Sequence, residues 1–138
     1  MRRVHIVTVG ASLLSNASRN WESVKSLVSG LNIDGIEGKL ETGEINRGQL
    51  HKELVEFLRS EGERASAEIA SMHKFLEKGR ADFIYLIYTD TSVGDVCSRA
   101  LETYLKGKKI EVQRIPVEGY SNEETFSREG LGNLARKA

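Results

Sequence analysis

Residues 82 to 117 contain a strand, a helix and a second strand in succession, and this order limits the fold more than any other feature. The run from Asp82 to Tyr88 is almost continuously apolar and aromatic, which is typical of a buried strand. Residues 93 to 105 place apolar side chains at helical spacing, and residues 110 to 117 form another strand-like run. Such a unit predicts two parallel strands joined by a right-handed crossover.

The rest of the chain repeats this alternation. Residues 4 to 9 are a nearly continuous β-branched run, which predicts a parallel strand covered on both faces. Residues 32 to 47 are interrupted by glycines and are predicted to be a loop with one short strand. Pro116 lacks a backbone donor, so its strand is expected at a sheet edge. Amphipathic helices are predicted at residues 21–31, 50–62, 66–76 (with Ser66 as the N-cap) and 126–134.

These elements predict the α/β class, as a Rossmann-like three-layer sandwich with a mostly parallel sheet. The 138 residues fit one domain, residues 1–138, with a core that needs no disulfide. Twenty basic and twenty acidic residues balance, so we expect no long nucleic acid as a partner. No apolar run reaches the length of a membrane span, and no export signal is recognised, so we expect no membrane association. The single cysteine, Cys97, fits a reducing cytoplasm.

Two polar turns follow strands of the predicted sheet and precede helices. Residues 10 to 16 follow the first strand, residues 89 to 94 follow the strand at 82–88, and both combine glycine with small hydroxyl side chains. In an open parallel sheet, ligands bind beyond the carboxyl ends of the strands, where the strand order switches direction. Free N–H groups and a helix dipole there suit a phosphate. Each turn alone is equally well explained as a helix cap, but two at one edge favour a phosphate-binding site.

The sequence gives little support for other nucleotide-binding motifs, for a metal site or for a catalytic cysteine. There is no G-x-x-x-x-G-K-[ST] loop and no G-x-G-x-x-G after the first strand, which argues against a P-loop NTPase and a dinucleotide dehydrogenase. No two histidines stand at metal-ligand spacing, so no metal site and no cofactor are predicted. Cys97 falls on the apolar stripe of its helix and is interpreted as a core residue.

Four segments in order resemble the motifs of CRISPR-associated Rossmann-fold (CARF) domains. Residues 7–16, Val-Thr-Val-Gly-Ala-Ser-Leu-Leu-Ser-Asn, resemble the G-T-S-L-L-x-N motif, with alanine at position 11 where threonine is usual. Residues 66–69, Ser-Ala-Glu-Ile, resemble the S-A-E element of a middle helix, and residues 88–94 resemble the S-D-T-x-x-G turn. Residues 126–134 are similar to the closing F-x-x-x-G-L-x-x-L helix. The four together span nearly the whole chain.

This resemblance implies a protein that binds a cyclic oligoadenylate, with cyclic tetra-adenylate as the expected ring, across the two-fold axis of a homodimer. The resemblance is also to the standalone ring nucleases of this group, which implies cleavage of the ring without a metal. In that reaction a ribose 2′-hydroxyl attacks the neighbouring phosphate and leaves a 2′,3′-cyclic phosphate. Ser12 matches the serine that contacts the reacting phosphate there. The implied ligand contacts are Gly10, Ala11, Ser12, Leu13, Leu14, Asn16, Ser66, Glu68, Thr89, Asp90, Thr91, Ser92 and Gly94.

Three hypotheses therefore stand at this point. The first is a metal-independent ring nuclease that switches off type III CRISPR signalling. The second is a module of a CRISPR effector system that senses or sequesters the ring without cleaving it. The third is an unrelated nucleotide-binding domain on a Rossmann-like scaffold, because a fold alone does not fix a function.

Overall fold

The computed structural model describes residues 4–77 and 83–118, without the side chains of residues 73–77. Within these residues, three parallel strands form one sheet in the order β1-β2-β3. The strands are β1 (Val4–Val9), β2 (Phe83–Thr89) and β3 (Glu111–Val117). The helices are α1 (Ser12–Asn20), α2 (Glu22–Val28), α3 (Ile33–Thr42), α4 (Arg47–Glu61), α5 (Ala67–Glu77) and α6 (Ser92–Lys106), with a 3₁₀ turn at Gly62–Arg64.

The predicted α/β class and Rossmann-like sandwich are confirmed. The βαβ unit folds as predicted, since α6 connects β2 to the parallel strand β3. Pro116 lies in β3, at one edge of the described strand order. Right-handed connections that step twice in the same direction leave their helices on one face of a sheet. In agreement, Ile84 and Leu86 of β2 pack into the large core that the helices share. The final helix predicted at residues 126–134 lies outside the described residues.

The second sheet face has a smaller cluster of its own. Ile87, Ile115 and Val117 pack together there, separately from the main core. On the same face of the neighbouring strand, the side chains of Val4 and Ile6 are 51% and 59% exposed. The prediction that the first strand is covered on both faces was therefore wrong, because the face of β1 that carries Val4 and Ile6 is exposed. β1 also lies at the other edge of the described strand order.

The segment predicted as a loop, residues 32 to 47, is mostly helix α3, and that prediction was wrong. The Asn32 side chain caps the helix by accepting a hydrogen bond from the Gly35 N–H group at 2.8 Å. Ile36 and Leu40 are buried in the core, and Gly43 ends the helix at φ 84°. Cap and burial outweigh the cost of the internal glycines, about 1 kcal/mol each.

The first polar turn is also shorter than predicted. Helix α1 already begins at Ser12, so only Gly10 and Ala11 connect it to β1, and residues 12 to 16 are helical rather than loop. The helix predicted at residues 21–31 is the shorter α2. No helix in residues 4–77 and 83–118 is long and apolar enough to cross a membrane.

Candidate functional site

The two polar turns lie side by side at the carboxyl edge of the sheet. Val9, the last residue of β1, is in register with Tyr88, the penultimate residue of β2. Gly10 and Thr89 therefore leave adjacent strands at the same edge, and each leads within a few residues into a helix. The described order β1-β2-β3 runs in one direction, so it contains no switch point of the kind we expected.

The first anion site consists of the Gly10 N–H group and the Ser12 hydroxyl, and the Glu68 carboxylate occupies it. Gly10 N donates to Glu68 Oε1 at 2.8 Å, and Ser12 Oγ donates to Glu68 Oε2 at 3.0 Å. The Ala67 N–H group in turn donates to Ser12 Oγ at 3.1 Å. Glu68 is 6% exposed, so its charge is held by these donors largely out of water.

The other residues implied around the first site have different surroundings. The side chains of Leu13 and Leu14 are fully buried in the core, so only their backbone is left to meet a ligand. Asn16 Nδ2 donates to the Ala65 carbonyl at 3.1 Å, which ties α1 to the segment before α5. Ser66 is the predicted N-cap: its hydroxyl accepts from the Ile69 N–H group at 3.1 Å.

The second anion site is the N-terminus of α6, and the Glu37 carboxylate occupies it. The N–H groups of Ser92 and Val93 donate to the two Glu37 oxygens at 2.8 and 2.7 Å. Burial disfavours the charged carboxylate, but these hydrogen bonds prevail and hold the pKa of Glu37 below its ordinary value. A carboxylate bound by two backbone N–H groups is a close counterpart of a bound phosphate oxygen pair.

The turn that leads into α6 is tightly constrained. The Thr91 N–H group donates to the Thr89 carbonyl at 2.8 Å, and the Asp90 N–H group donates to the Val117 carbonyl at 2.7 Å. Thr91 is the N-cap, because its hydroxyl accepts from the Gly94 N–H group at 3.0 Å. A Cβ atom at Gly94 would lie 2.2 Å from the Thr89 carbonyl oxygen, so the turn closes this tightly only with glycine at that position.

Arginines surround the start of α6 beside the second anion site. Arg47 lines a groove of about 460 Å³ between α4 and α6, and its Nη2 donates to Ser92 Oγ at 2.7 Å. Arg47, Arg99 and Arg114 all pair with the Asp95 carboxylate, at 3.0 to 3.1 Å. Burial disfavours the charged form of Asp95, but Arg99 and Arg114 hold its pKa below the ordinary value. Any anion arriving at this groove therefore competes with Asp95 for the guanidinium groups.

Sequence reasoning missed Glu37 and Arg47. Glu37 lies in the segment interpreted as a loop, and its partner Ser92 is 55 residues away. The available signal was the Asn32 cap followed by apolar residues at helical spacing, which predicts α3 but not where α3 packs. Glu68 was among the implied contacts, but not as the occupant of the first anion site.

A family model described as CRISPR-associated protein (Cas_APE2256) matches residues 63–138. The match covers more than half of the chain and includes Glu68 and the whole turn from Thr89 to Gly94, while the first anion site's Gly10 and Ser12 precede it. The chain thus belongs to the Cas_APE2256 family of CRISPR-associated proteins, which is of the CARF type.

Proposed function

We propose that this chain binds a cyclic oligoadenylate at the carboxyl edge of its sheet and cleaves it as a metal-independent ring nuclease. The observation that carries the proposal is the pair of adjacent anion sites, each occupied by a carboxylate in a chain of a CARF-type family. A cyclic tetra-adenylate has two-fold symmetry, so a homodimer would offer it two copies of this pair.

The second anion site is the one that a ring phosphate enters more readily. Glu37 is partly exposed and reaches the start of α6 from α3, so its side chain can turn into solvent when a phosphate takes its place. Glu68, in contrast, is buried and has hydrogen bonds from Gly10 and Ser12. We therefore expect a phosphate at the N-terminus of α6 and a ribose or its 3′-phosphate against Ser12.

Cleavage then depends on position. The 2′-oxygen must lie in line with the phosphorus and the departing 5′-oxygen, and the binding energy of the ring's other nucleotides holds that alignment. Backbone N–H groups at the sheet edge stabilise the charge that develops on the phosphate oxygens. This chemistry needs a rigid edge, which the hydrogen bonds around Ser12 and the turn into α6 supply.

The test is incubation of labelled cyclic tetra-adenylate with the protein in EDTA, repeated with rings of other sizes. Linear products ending in a 2′,3′-cyclic phosphate are expected, and Ser12→Ala should slow their formation. Ser18→Ala is the matched control, because the Ser18 hydroxyl on the same helix donates only to the carbonyl of Ser15 at 2.9 Å. An intact ring after long incubation with excess protein contradicts cleavage.

One observation favours the alternative of a non-catalytic sensor or sequestering module. The Ser12 hydroxyl proton already points to Glu68, so Ser12 has no hydrogen to donate to a phosphate in this arrangement. Tight binding of the ring without turnover, and with the same affinity for the Ser12→Ala variant, would establish that alternative.

A further inference from the structure

The Ser12 hydroxyl lies in the middle of a short chain of hydrogen bonds, which fixes the direction in which it donates. Its hydroxyl donates to Glu68 Oε2 at 3.0 Å and accepts from the Ala67 N–H group at 3.1 Å. A hydroxyl has one hydrogen and two lone pairs. The hydrogen and one lone pair are therefore used, and the remaining lone pair can accept a hydrogen bond from outside.

We propose that Glu68 is the proton acceptor of the cleavage reaction and acts through Ser12 on a ribose 2′-hydroxyl. This inference rests on the proposed function. The ribose 2′-hydroxyl donates to the open lone pair of Ser12, and its proton passes to Ser12 Oγ as the Ser12 proton passes to Glu68. The 2′-oxygen bonds to phosphorus, the bond from phosphorus to the 5′-oxygen breaks, and the 5′-oxygen takes a proton from water. Glu68 then returns its proton to solvent.

Two elements hold the Glu68 carboxylate in position beside Ser12. The Gly10 N–H group at the end of β1 and the Ser12 hydroxyl on α1 each donate to one of its oxygens. The titratable group that faces it from α6 is Cys97. Burial, with the nearby charge of Glu68, raises the pKa of the Cys97 thiol to about 12, so the thiol stays neutral and adds no second charge.

A purely structural role for Glu68 predicts a different set of effects. If Glu68 only held α5 against α1, its loss would weaken ring binding and cleavage together. As a proton acceptor it is a poor neighbour for a phosphate, because two negative charges repel. Its neutral analogue should therefore bind the ring as well as, or more tightly than, the original chain, while cleaving it far more slowly.

The experiment compares the original chain with Glu68→Gln and Glu68→Asp in ring binding and in single-turnover cleavage of cyclic tetra-adenylate at neutral pH. Glu68→Gln should cut the rate about 100-fold or more, the lower range for general-base catalysis, with ring affinity unchanged or higher. Glu68→Asp should restore part of the rate. Glu56→Gln, which removes an exposed carboxylate on α4, should change neither quantity.

Three results overturn the inference. A Glu68→Gln variant that keeps the original rate within about threefold leaves no role for the carboxylate as base. Equal losses of ring affinity and rate assign Glu68 a structural role. A Glu68→Asp variant that folds and binds the ring but restores none of the rate lost in Glu68→Gln rejects the relay. Absence of cleavage by the original chain is the separate result that removes the nuclease function itself, and the relay with it.

Discussion

Replacement of Gly94 by alanine tests the tight turn between β2 and α6. The added Cβ atom would lie 2.2 Å from the Thr89 carbonyl oxygen and 3.1 Å from Thr91 Oγ1, whereas real Cβ contacts essentially never fall below 3.0 Å. The carbonyl cannot turn away freely, because it accepts the Thr91 N–H group at 2.8 Å. To bring that contact above 3.0 Å, the backbone at the carboxyl end of β2 must shift by about 1 Å, and overpacking is commonly relieved by backbone shifts of this kind.

The expected change in the free energy of unfolding for Gly94→Ala combines two losses and one gain. Overpacking against a fixed backbone costs about 1 to 3 kcal/mol. If the shift also breaks the Thr91 cap, about 1 kcal/mol more is lost. Alanine regains about 1 kcal/mol over glycine as a helical residue in the first turn of α6. The free energy of unfolding should thus fall by about 1 to 3 kcal/mol.

Urea denaturation of Gly94→Ala beside Gly38→Ala gives a matched comparison. Gly38 is also helical, but nothing lies within 4 Å of an added Cβ atom there, so Gly38→Ala should raise the free energy of unfolding by about 0.5 to 1 kcal/mol. The two variants should move the urea midpoint in opposite directions with little change in slope. Equal or higher stability of Gly94→Ala would refute the assigned close approach. Under the proposed function, Gly94→Ala should also bind cyclic tetra-adenylate more weakly than Gly38→Ala does.

Three further predictions concern titratable side chains. Glu37→Gln should cost about 0.5 to 1 kcal/mol at neutral pH, since it removes a charge from the positive end of α6. Because the folded state holds the pKa of Glu37 low, against the effect of burial, its stabilisation exists at neutral pH and disappears as acid protonates the group. Urea denaturation should show the variant losing less stability in acid than the original chain. Asp95→Asn should cost about 1 to 2 kcal/mol at neutral pH, less in high salt and less in acid, because burial is outweighed by arginine partners that lower the pKa of Asp95. The thiol of Cys97, with its pKa of about 12, should resist a disulfide reagent at pH 8 in the folded protein and react with one equivalent in urea.

The sheet and its edge could be predicted because their signals are local. Residues 83–89 and 111–117 are strands whose apolar runs are visible in a few residues, and the helix between them has regular spacing. Parallel strands joined by helices then force their carboxyl ends to one edge, whatever the packing of the rest. The Ser66 cap was recognisable for the same reason, since cap and capped N–H group are three residues apart.

Helix α3 was missed, although the Asn32 cap and the apolar spacing after it indicate a helix, because two of its residues are poor helix formers. Gly35 and Gly38 each cost about 1 kcal/mol in a helix interior, so the local preference favours a loop. The compensation comes from tertiary packing: Ile36 and Leu40 are buried, and α3 packs against α6. The prediction that β1 is covered on both faces was wrong for a related reason. A run of β-branched residues indicates a strand, but it does not indicate what covers each face of that strand.

The contacts that define the site are the least visible in one sequence. Ser12 and Glu68 are 56 residues apart, and Glu37 and Ser92 are 55 apart, so no local pattern connects them. Glycine, serine and threonine in a turn indicate where an anion can bind, but not which anion is already there. Composition thus predicted where an anion could bind at the sheet edge, whereas the carboxylates that occupy those positions became visible only in the fold.

The two internal carboxylates also determine what a ligand must do to bind. The N–H groups of the two turns need hydrogen-bond acceptors, and the dipole at the N-terminus of α6 favours a negatively charged one. Inside the folded chain, the carboxylates of Glu68 and Glu37 are those acceptors. Under the proposed function, a ring phosphate would therefore gain only the difference between its own hydrogen bonds and those of the carboxylate that it replaces. That difference favours exchange at Glu37, which is partly exposed and gains hydration on leaving, over exchange at Glu68, which is buried. If the ring exchanges with Glu37 alone, Glu37→Gln should tighten ring binding while Glu68 remains in place beside Ser12, available as the base.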